Sequence, residues 1–391
     1  MLASLVFAIA VAASPVHKPI SAKIHKVPST HVEKLNSAQF ALNRFSSSSG
    51  NSEDLTNINN LFYKADIVVG TNQKLTIDLD TGSSDLWVRG SQCTDNGDGS
   101  CQGSSVDTTD SNLVDQGQTY SVKYGSGGVS GEIYTADVSV AGAKVQSLPI
   151  GVGTNLQGFA NQADGLLGLG FDSISQISQA LGKSANFFDG LGFTGANNVF
   201  SFYLSDAKDG DNGEVTFGGI DSSKFTGNIN YVPLNSQTFW QFDATNLSFN
   251  VAGQTGAVGD SNYSTDAISD TGTSLIILGQ TAADGINQAI GATYDSNQGA
   301  YAIDCGVAKT GSPIDFVFGD QQFTLSIPPQ YYVLDAGNGQ CISGILAGAG
   351  NGTPNIFGDI LSRAYYTVYD KGNTQVGFAL AKQPKRVLFI E

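Results

Sequence analysis

Asp80-Thr81-Gly82-Ser83 and Asp270-Thr271-Gly272-Thr273 are two copies of one tetrapeptide, set 190 residues apart. Each copy lies between two short apolar, strand-like runs: residues 75–79 and 86–88 around the first, 267–268 and 275–278 around the second. An acid on a Gly-containing turn between strands is a carboxylate held on a tight loop, in a backbone conformation that Gly permits. Two such loops predict two carboxylates related by an internal two-fold axis. A second landmark repeats at the same spacing, Leu166-Leu167-Gly168 returning as Ile356-Phe357-Gly358. Equal offsets between independent landmarks are what two copies of one domain leave behind, at a period far longer than that of solenoid repeats.

The composition agrees. A chain of 391 residues with 48 Gly and only 14% charged residues favours many short strands and tight turns over helices, and its length suits two domains with ample core. Residues 1–13 read as a secretory signal, an apolar stretch ending in small residues. The alternative, a membrane span, needs a longer run. Residues 14–56 read as a prosegment, ending just beyond the flexible tract Ser46-Ser47-Ser48-Ser49-Gly50. The two copies then occupy 57–231, an N-terminal lobe with Asp80, and 232–391, a C-terminal lobe with Asp270. Short helices are expected at 173–181 and 281–290, and a single strand over 239–249.

Charge narrows the function classes. The formal net charge is −16, yet the first 50 residues hold five basic residues (Lys18, Lys23, Lys26, Lys34, Arg44) against one acid, Glu33. A basic leader on a strongly acidic body suggests a prosegment held electrostatically. Such a body offers no basic surface to nucleic acid. All three histidines, His17, His25 and His31, also lie in the leader. Its removal excludes Ser-His-Asp and Cys-His mechanisms and most histidine-based zinc sites. Four cysteines in a secreted chain fit two disulfides. The pairing Cys93–Cys101 with Cys305–Cys341 keeps each bridge within one lobe.

Two Asp side chains meeting across a two-fold axis do not both ionise easily. At about 3 Å and an effective dielectric near 20 their repulsion is roughly 5 kcal/mol, so one proton is shared over a broad acidic range. That state holds one base to activate a water and one acid to protonate a carbonyl oxygen or leaving group. No covalent intermediate is needed.

The chain resembles the pepsin-type aspartic proteases. The resemblance rests on Asp80-Thr81-Gly82-Ser83-Ser84-Asp85-Leu86-Trp87-Val88, Tyr124-Gly125-Ser126-Gly127, Asp164-Gly165-Leu166-Leu167-Gly168-Leu169, Phe217-Gly218-Gly219-Ile220-Asp221, Asp270-Thr271-Gly272-Thr273-Ser274 and Ile356-Phe357-Gly358-Asp359. The wording around Ala65-Asp66-Ile67-Val68-Val69-Gly70 is similar to secreted fungal and yeast members. It implies an all-β, bilobal pepsin-like fold, with two pseudo-two-fold-related β-barrel-like lobes and a cleft between them. It also implies an acid endopeptidase made as a zymogen, with Asp80 and Asp270 as the catalytic pair. Gly82 and Gly272 would let the loops approach, Thr81 and Thr271 would cross-brace them, and Ser83 and Thr273 would bond the outer carboxylate oxygens. Tyr124, Gly125 and Ser126 correspond to a hairpin flap closing over substrate, with Trp87 as the hydrogen-bond partner of Tyr124. Read as sequence pattern alone, the two aromatics are ordinary packing residues.

Asp78, two residues before Asp80, shares its strand face and by resemblance borders the pocket for the residue before the scissile bond. A hydrophobic or aromatic preference with limited lysine tolerance follows as an expectation. Partners are protein or peptide substrates and the chain's own propeptide as an intramolecular inhibitor. No cofactor, metal, nucleic acid or membrane partner is expected, and the protein is expected to be a monomer. Sequons at Asn246, Asn262 and Asn351 are glycosylation candidates. The expected destination is extracellular, with a vacuole as the alternative. Two rival readings remain at this stage. One is a catalytically dead pepsin-like binding protein, the other a glycoside hydrolase, whose paired acids need no matched loops.

Overall fold

The computed structural model describes residues 19–26, 63–124, 127–159, 163–205, 213–296, 298–350 and 352–382. The stretch expected to be a signal, most of that expected to be a prosegment, Gly125, Ser126 and Asn351 lie outside the described residues. Strands dominate, and alternation explains them. Tyr63–Val69 buries every second side chain (Tyr63, Ala65, Ile67, Val69) while Lys64, Asp66 and Val68 stay more open. This is the period of a strand with one covered face.

One sheet of eight strands runs in the order His25–Lys26, Tyr63–Val69, Gln73–Asp80, Gly165–Gly168, Leu86–Thr94, Ala143–Gln157, Gly127–Val140 and Val114–Tyr124. An additional pairing of Tyr63–Val69 with Gly127–Val140 folds it back on itself. Two four-stranded sheets belong to the second half, one built on Leu247–Val251 and Ile314–Phe318, the other on Ala300–Ile303 and Gln340–Ser343. An eleven-stranded sheet joins the halves through the antiparallel pairing of Val199–Leu204 with Tyr365–Asp370. The buried core runs through both halves without a break. Each fully buried Ile, Leu or Phe in it contributes about 1.5–3 kcal/mol.

The duplication is written into the strand registers. Gln73–Asp80 pairs in parallel with Gly165–Gly168, with Asp78 opposite Leu166 and Leu79 opposite Leu167. Asp266–Ser269 pairs in parallel with Asn355–Phe357, with Ile268 opposite Ile356 and Ser269 opposite Phe357. The antiparallel neighbours repeat as well, Leu86 with Leu167 and Trp87 with Leu166 in one half, Ile276 with Phe357 and Ile277 with Ile356 in the other. All these pairs are related by the same 190-residue offset. The second landmark of the sequence is therefore the strand on which each Asp-bearing strand lies.

Three details differ from expectation. Residues 239–249 form two strands, Trp240–Asp243 and Leu247–Val251. Asp243 Oδ1 accepts the Thr245 N–H at 2.7 Å, turning the chain between them. The helix expected at 173–181 is a 3₁₀ turn, Asp172–Ile174, followed by Gln176–Leu181. Ser175 interrupts it, capping the second piece by accepting the Ser178 N–H at 2.9 Å. Part of the leader belongs to the sheets: Ile20–Lys23 pairs with Gly213–Phe217, and His25–Lys26 pairs with Lys64 and Tyr63. Backbone pairing and burial of Ile24 hold this piece. Among its described basic residues, Lys23 stands opposite an acid, Glu214.

Candidate active site

Asp80 ends the strand Gln73–Asp80, and Asp270 directly follows Asp266–Ser269. Both are fully buried. The Gly82 N–H donates to Asp80 Oδ1 at 2.8 Å, and the Ser83 hydroxyl donates to Asp80 Oδ2. The second loop repeats the arrangement, with the Gly272 N–H to Asp270 Oδ1 at 3.0 Å and the Thr273 hydroxyl to Oδ2 at 2.6 Å. Each carboxylate thus accepts one backbone and one hydroxyl proton, which fixes its rotamer.

The two loops are locked to each other. The Thr81 N–H donates to Thr271 Oγ1 at 3.1 Å, and the Thr271 N–H donates to Thr81 Oγ1 at 3.0 Å. The hydroxyls continue across, Thr81 to the Ser269 carbonyl at 3.0 Å and Thr271 to the Leu79 carbonyl at 2.7 Å. Contact between the loops is close enough to exclude a side chain. A Cβ on Gly82 would lie 2.4 Å from Asp270 Oδ1 and 2.6 Å from its Cγ. Gly is required here for proximity, since the backbone carrying Asp80 passes against the Asp270 carboxylate.

The hairpin of Val114–Tyr124 and Gly127–Val140 brings Ser121, Val122, Lys123 and Tyr124 to a pocket they share with Gly82 and Ser83. The Trp87 Nε1–H donates to the Tyr124 hydroxyl at 2.9 Å. Phe159 sets its edge against both rings, at centroid distances of 4.9 and 5.7 Å. A pocket of about 320 Å³ opens beside the dyad, lined by Gly82, Ser83, Asp85, Lys123 and Tyr124 together with Val122, Ile174 and Phe239. A second, of about 410 Å³, lies on the other side of Phe239, between Gln241, Tyr263, Asp266 and Pro354. Polar side chains make up most of both linings, with Val122, Ile174 and Phe239 the apolar part of the first.

Several residues that position the site were not singled out from the sequence. Asp85 accepts from the Ser175 hydroxyl and from the Gln176 and Ile177 N–H groups at 3.0 and 3.1 Å. It thereby ties the first loop to the helix Gln176–Leu181. Burial pushes its carboxyl above the ordinary value, and those three donors oppose the shift. Phe159 and Phe239 lie in stretches without motif, so only the fold reveals them. Asp164 opens a quoted motif, but its partner Arg89 has no sequence signal: Arg89 Nη1 donates to Asp164 Oδ1 at 3.0 Å in the interior.

Asp78 is buried and stands across the strand pair from Lys64. Burial pulls the Lys64 ammonium below its usual value, and the Asp78 charge opposes this. The bridges pair Cys93 with Cys101 and Cys305 with Cys341, the expected connectivity. Asn246 is exposed in the turn before Leu247–Val251, outside the strand expected for it, and Asn262 is exposed as well. Among the described residues there is no cluster of metal-ligating side chains and no helix long and apolar enough to cross a membrane.

Comparison with known proteins agrees with this geometry. Residues 62–381 match the family model described as eukaryotic aspartyl protease. The chain is 36% identical to vacuolar protease A of Aspergillus fumigatus over 341 residues, which is 83% of this chain and 80% of that protein. It is 35% identical to gastricsin of Suncus murinus over 332 residues, 82% and 81% of the two chains. Identity to cathepsin D of Dictyostelium discoideum is 34% over 345 residues, 82% and 84%.

Proposed function

The chain belongs to the eukaryotic aspartyl protease family, and from that premise we propose that it hydrolyses peptide bonds at acidic pH through a water activated by Asp80 and Asp270. The observation that carries this reading is the mirrored support of the two carboxylates, each held by a Gly N–H and a Ser or Thr hydroxyl on cross-braced loops. With one proton shared between them, the ionised carboxylate removes a proton from water as its oxygen attacks the scissile carbonyl carbon. The protonated carboxyl donates to the carbonyl oxygen. The gem-diol intermediate then collapses: one of its hydroxyls gives its proton to the now ionised carboxylate as the C=O re-forms, the C–N bond breaks, and the amine leaves with the proton of the other carboxyl. The dyad ends with the single proton it began with. Tyr124 and its flap would exclude bulk water and orient the peptide.

The apolar lining contributed by Val122, Ile174 and Phe239 supports a preference for hydrophobic or aromatic side chains around the cleaved bond. Asp78 is assigned a minor role in accepting substrate lysine, because Lys64 already faces its carboxylate. Asp78→Val is therefore expected to lower cleavage after lysine by only about threefold relative to cleavage after leucine, the scale of a weak ion pair. An unchanged ratio would remove Asp78 from specificity.

We read the leader as a signal followed by an inhibitory propeptide, so the protein is a monomeric zymogen routed for secretion. The strands at residues 20–26 give the propeptide a seat in the sheet. The similarity to vacuolar protease A favours a second destination, a vacuole. N-glycans are proposed at the exposed Asn246 and Asn262. The test of the central reading is cleavage of denatured haemoglobin between pH 2.5 and 7 by activated protein, with and without pepstatin. Activity is expected in acid, falling as the shared proton is lost toward neutrality, and abolished by the inhibitor. Processed protein without such activity would favour a binding protein that retains the fold.

A further inference from the structure

The two-fold relation that governs the loops is broken at the residue before each Asp. Leu79 precedes Asp80, and the same register places Ser269 before Asp270. Both are buried, so a hydroxyl has replaced an apolar side chain in the interior beneath one carboxylate only. A buried hydroxyl needs a partner, and Ser269 Oγ has one in Tyr369 Oη at 3.0 Å. The same phenol oxygen lies 3.4 Å from Thr81 Oγ1, the hydroxyl that braces the opposite loop.

Tyr369 is fully buried on the strand Tyr365–Asp370, in the sheet that joins the two halves. Its ring is stacked on Phe200 at 4.8 Å and set edge-on against Trp240 at 5.0 Å, leaving the phenol oxygen little freedom. The Thr81 hydroxyl donates to the Ser269 carbonyl at 3.0 Å and, more weakly, to Tyr369 Oη at 3.4 Å, while Thr81 Oγ1 accepts the Thr271 N–H. Between Ser269 Oγ and Tyr369 Oη either hydroxyl can donate, so the phenol oxygen joins the residue before Asp270 to the threonine after Asp80.

We propose that Ser269 and Tyr369 are positioning residues of the dyad: a buried hydroxyl pair that braces the Thr81 crossover from the interdomain sheet and makes the two carboxylate loops inequivalent. The proposal rests on the reading of Asp80 and Asp270 as the catalytic pair. It deepens that reading by naming what holds the loops in place from below. Neither side chain touches substrate, so their loss acts on the geometry of the reacting groups and leaves peptide binding alone.

The experiment compares activated wild-type enzyme with Tyr369→Phe, Ser269→Val and the double variant, using a fluorogenic peptide at acid pH with thermal melts alongside. Each single variant is expected to lower kcat about fivefold, the worth of one hydrogen bond, with KM unchanged, and to lower Tm. The double variant removes both hydroxyls together and leaves no unsatisfied polar group, so Tm is expected to recover while kcat stays low. Ser269→Ala, which deletes only the hydroxyl, stands in if the valine variant does not fold, with the same expected loss in kcat. A double variant whose kcat recovers with its Tm would show a merely structural pair and overturn the proposal, as would single variants with wild-type kcat. Wild-type protein lacking pepstatin-sensitive cleavage would instead bring down the protease reading, and this proposal with it.

Discussion

Asp80→Asn is expected to lower kcat by at least about 10³-fold, roughly 4 kcal/mol of transition-state stabilisation, while leaving the melting temperature near that of the wild type. The substitution is isosteric, so packing around the buried position is retained. The amide neither takes a proton from water nor shares one with Asp270. It also has one acceptor oxygen where the carboxylate has two, and both carboxylate oxygens are in use: Oδ1 receives the Gly82 N–H and Oδ2 the Ser83 hydroxyl. Turned with its oxygen to the Gly82 N–H, the amide presents its N–H₂ to Ser83 Oγ, which can accept, so the loop keeps its hydrogen bonds while the acid–base chemistry is lost. Single-turnover kinetics at acid pH, with circular dichroism to verify folding, separates loss of chemistry from loss of structure. Retention of a tenth of wild-type activity would remove Asp80 from the reaction and with it the paired-carboxylate mechanism.

The second large effect is expected on stability. Arg89→Ala should cost about 3–5 kcal/mol, the usual penalty for leaving one half of a buried ion pair behind. Against a total stability of about 5–15 kcal/mol, this is enough to make the fold marginal. The Arg89 side chain is 1% exposed, and its Asp164 partner 11%. Its guanidinium also donates to the carbonyls of Ser100 at 3.0 Å, Ser104 at 2.9 Å and Ala163 at 3.3 Å. Removing it leaves the Asp164 carboxylate and the carbonyls of Ser100, Ser104 and Ala163 without this donor, those of Ser100 and Ala163 in the interior. Asp164 would keep the Thr76 and Ser104 N–H groups at 3.0 and 2.9 Å, which holds the cost within that range. Urea titration of wild type and variant measures it. A difference below 1 kcal/mol would mean that water or a rearranged loop replaces the guanidinium.

Much of the site was legible because its parts are local. Asp80, Thr81, Gly82 and Ser83 are consecutive, and a carboxylate that accepts from the Gly two residues on and the hydroxyl three residues on needs no distant partner to be recognised. The 190-residue offset carried over to strand register, because a repeated sequence repeats its pairing pattern. Strand 239–249 was misread for a local reason as well, since the turn at Asp243 is built from one side chain inside an apolar run. Other features depend on contacts between segments far apart in the chain. Arg89 and Asp164 are 75 residues apart, Asp85 and Ser175 90, Ser269 and Tyr369 100.

The sequence by itself determined the duplication, the all-β class and the two carboxylate loops, and it favoured the local disulfide pairing that the structure has. Each of these is a matter of residue type, spacing or count. Tertiary structure alone decided how closely Gly82 approaches Asp270, which helix Asp85 anchors, that residues 20–26 join the sheets, and that Tyr369 lies against the crossed threonines. Those depend on where separate strands come to rest against one another, and buried polar groups select their partners only once packing has removed water as the alternative.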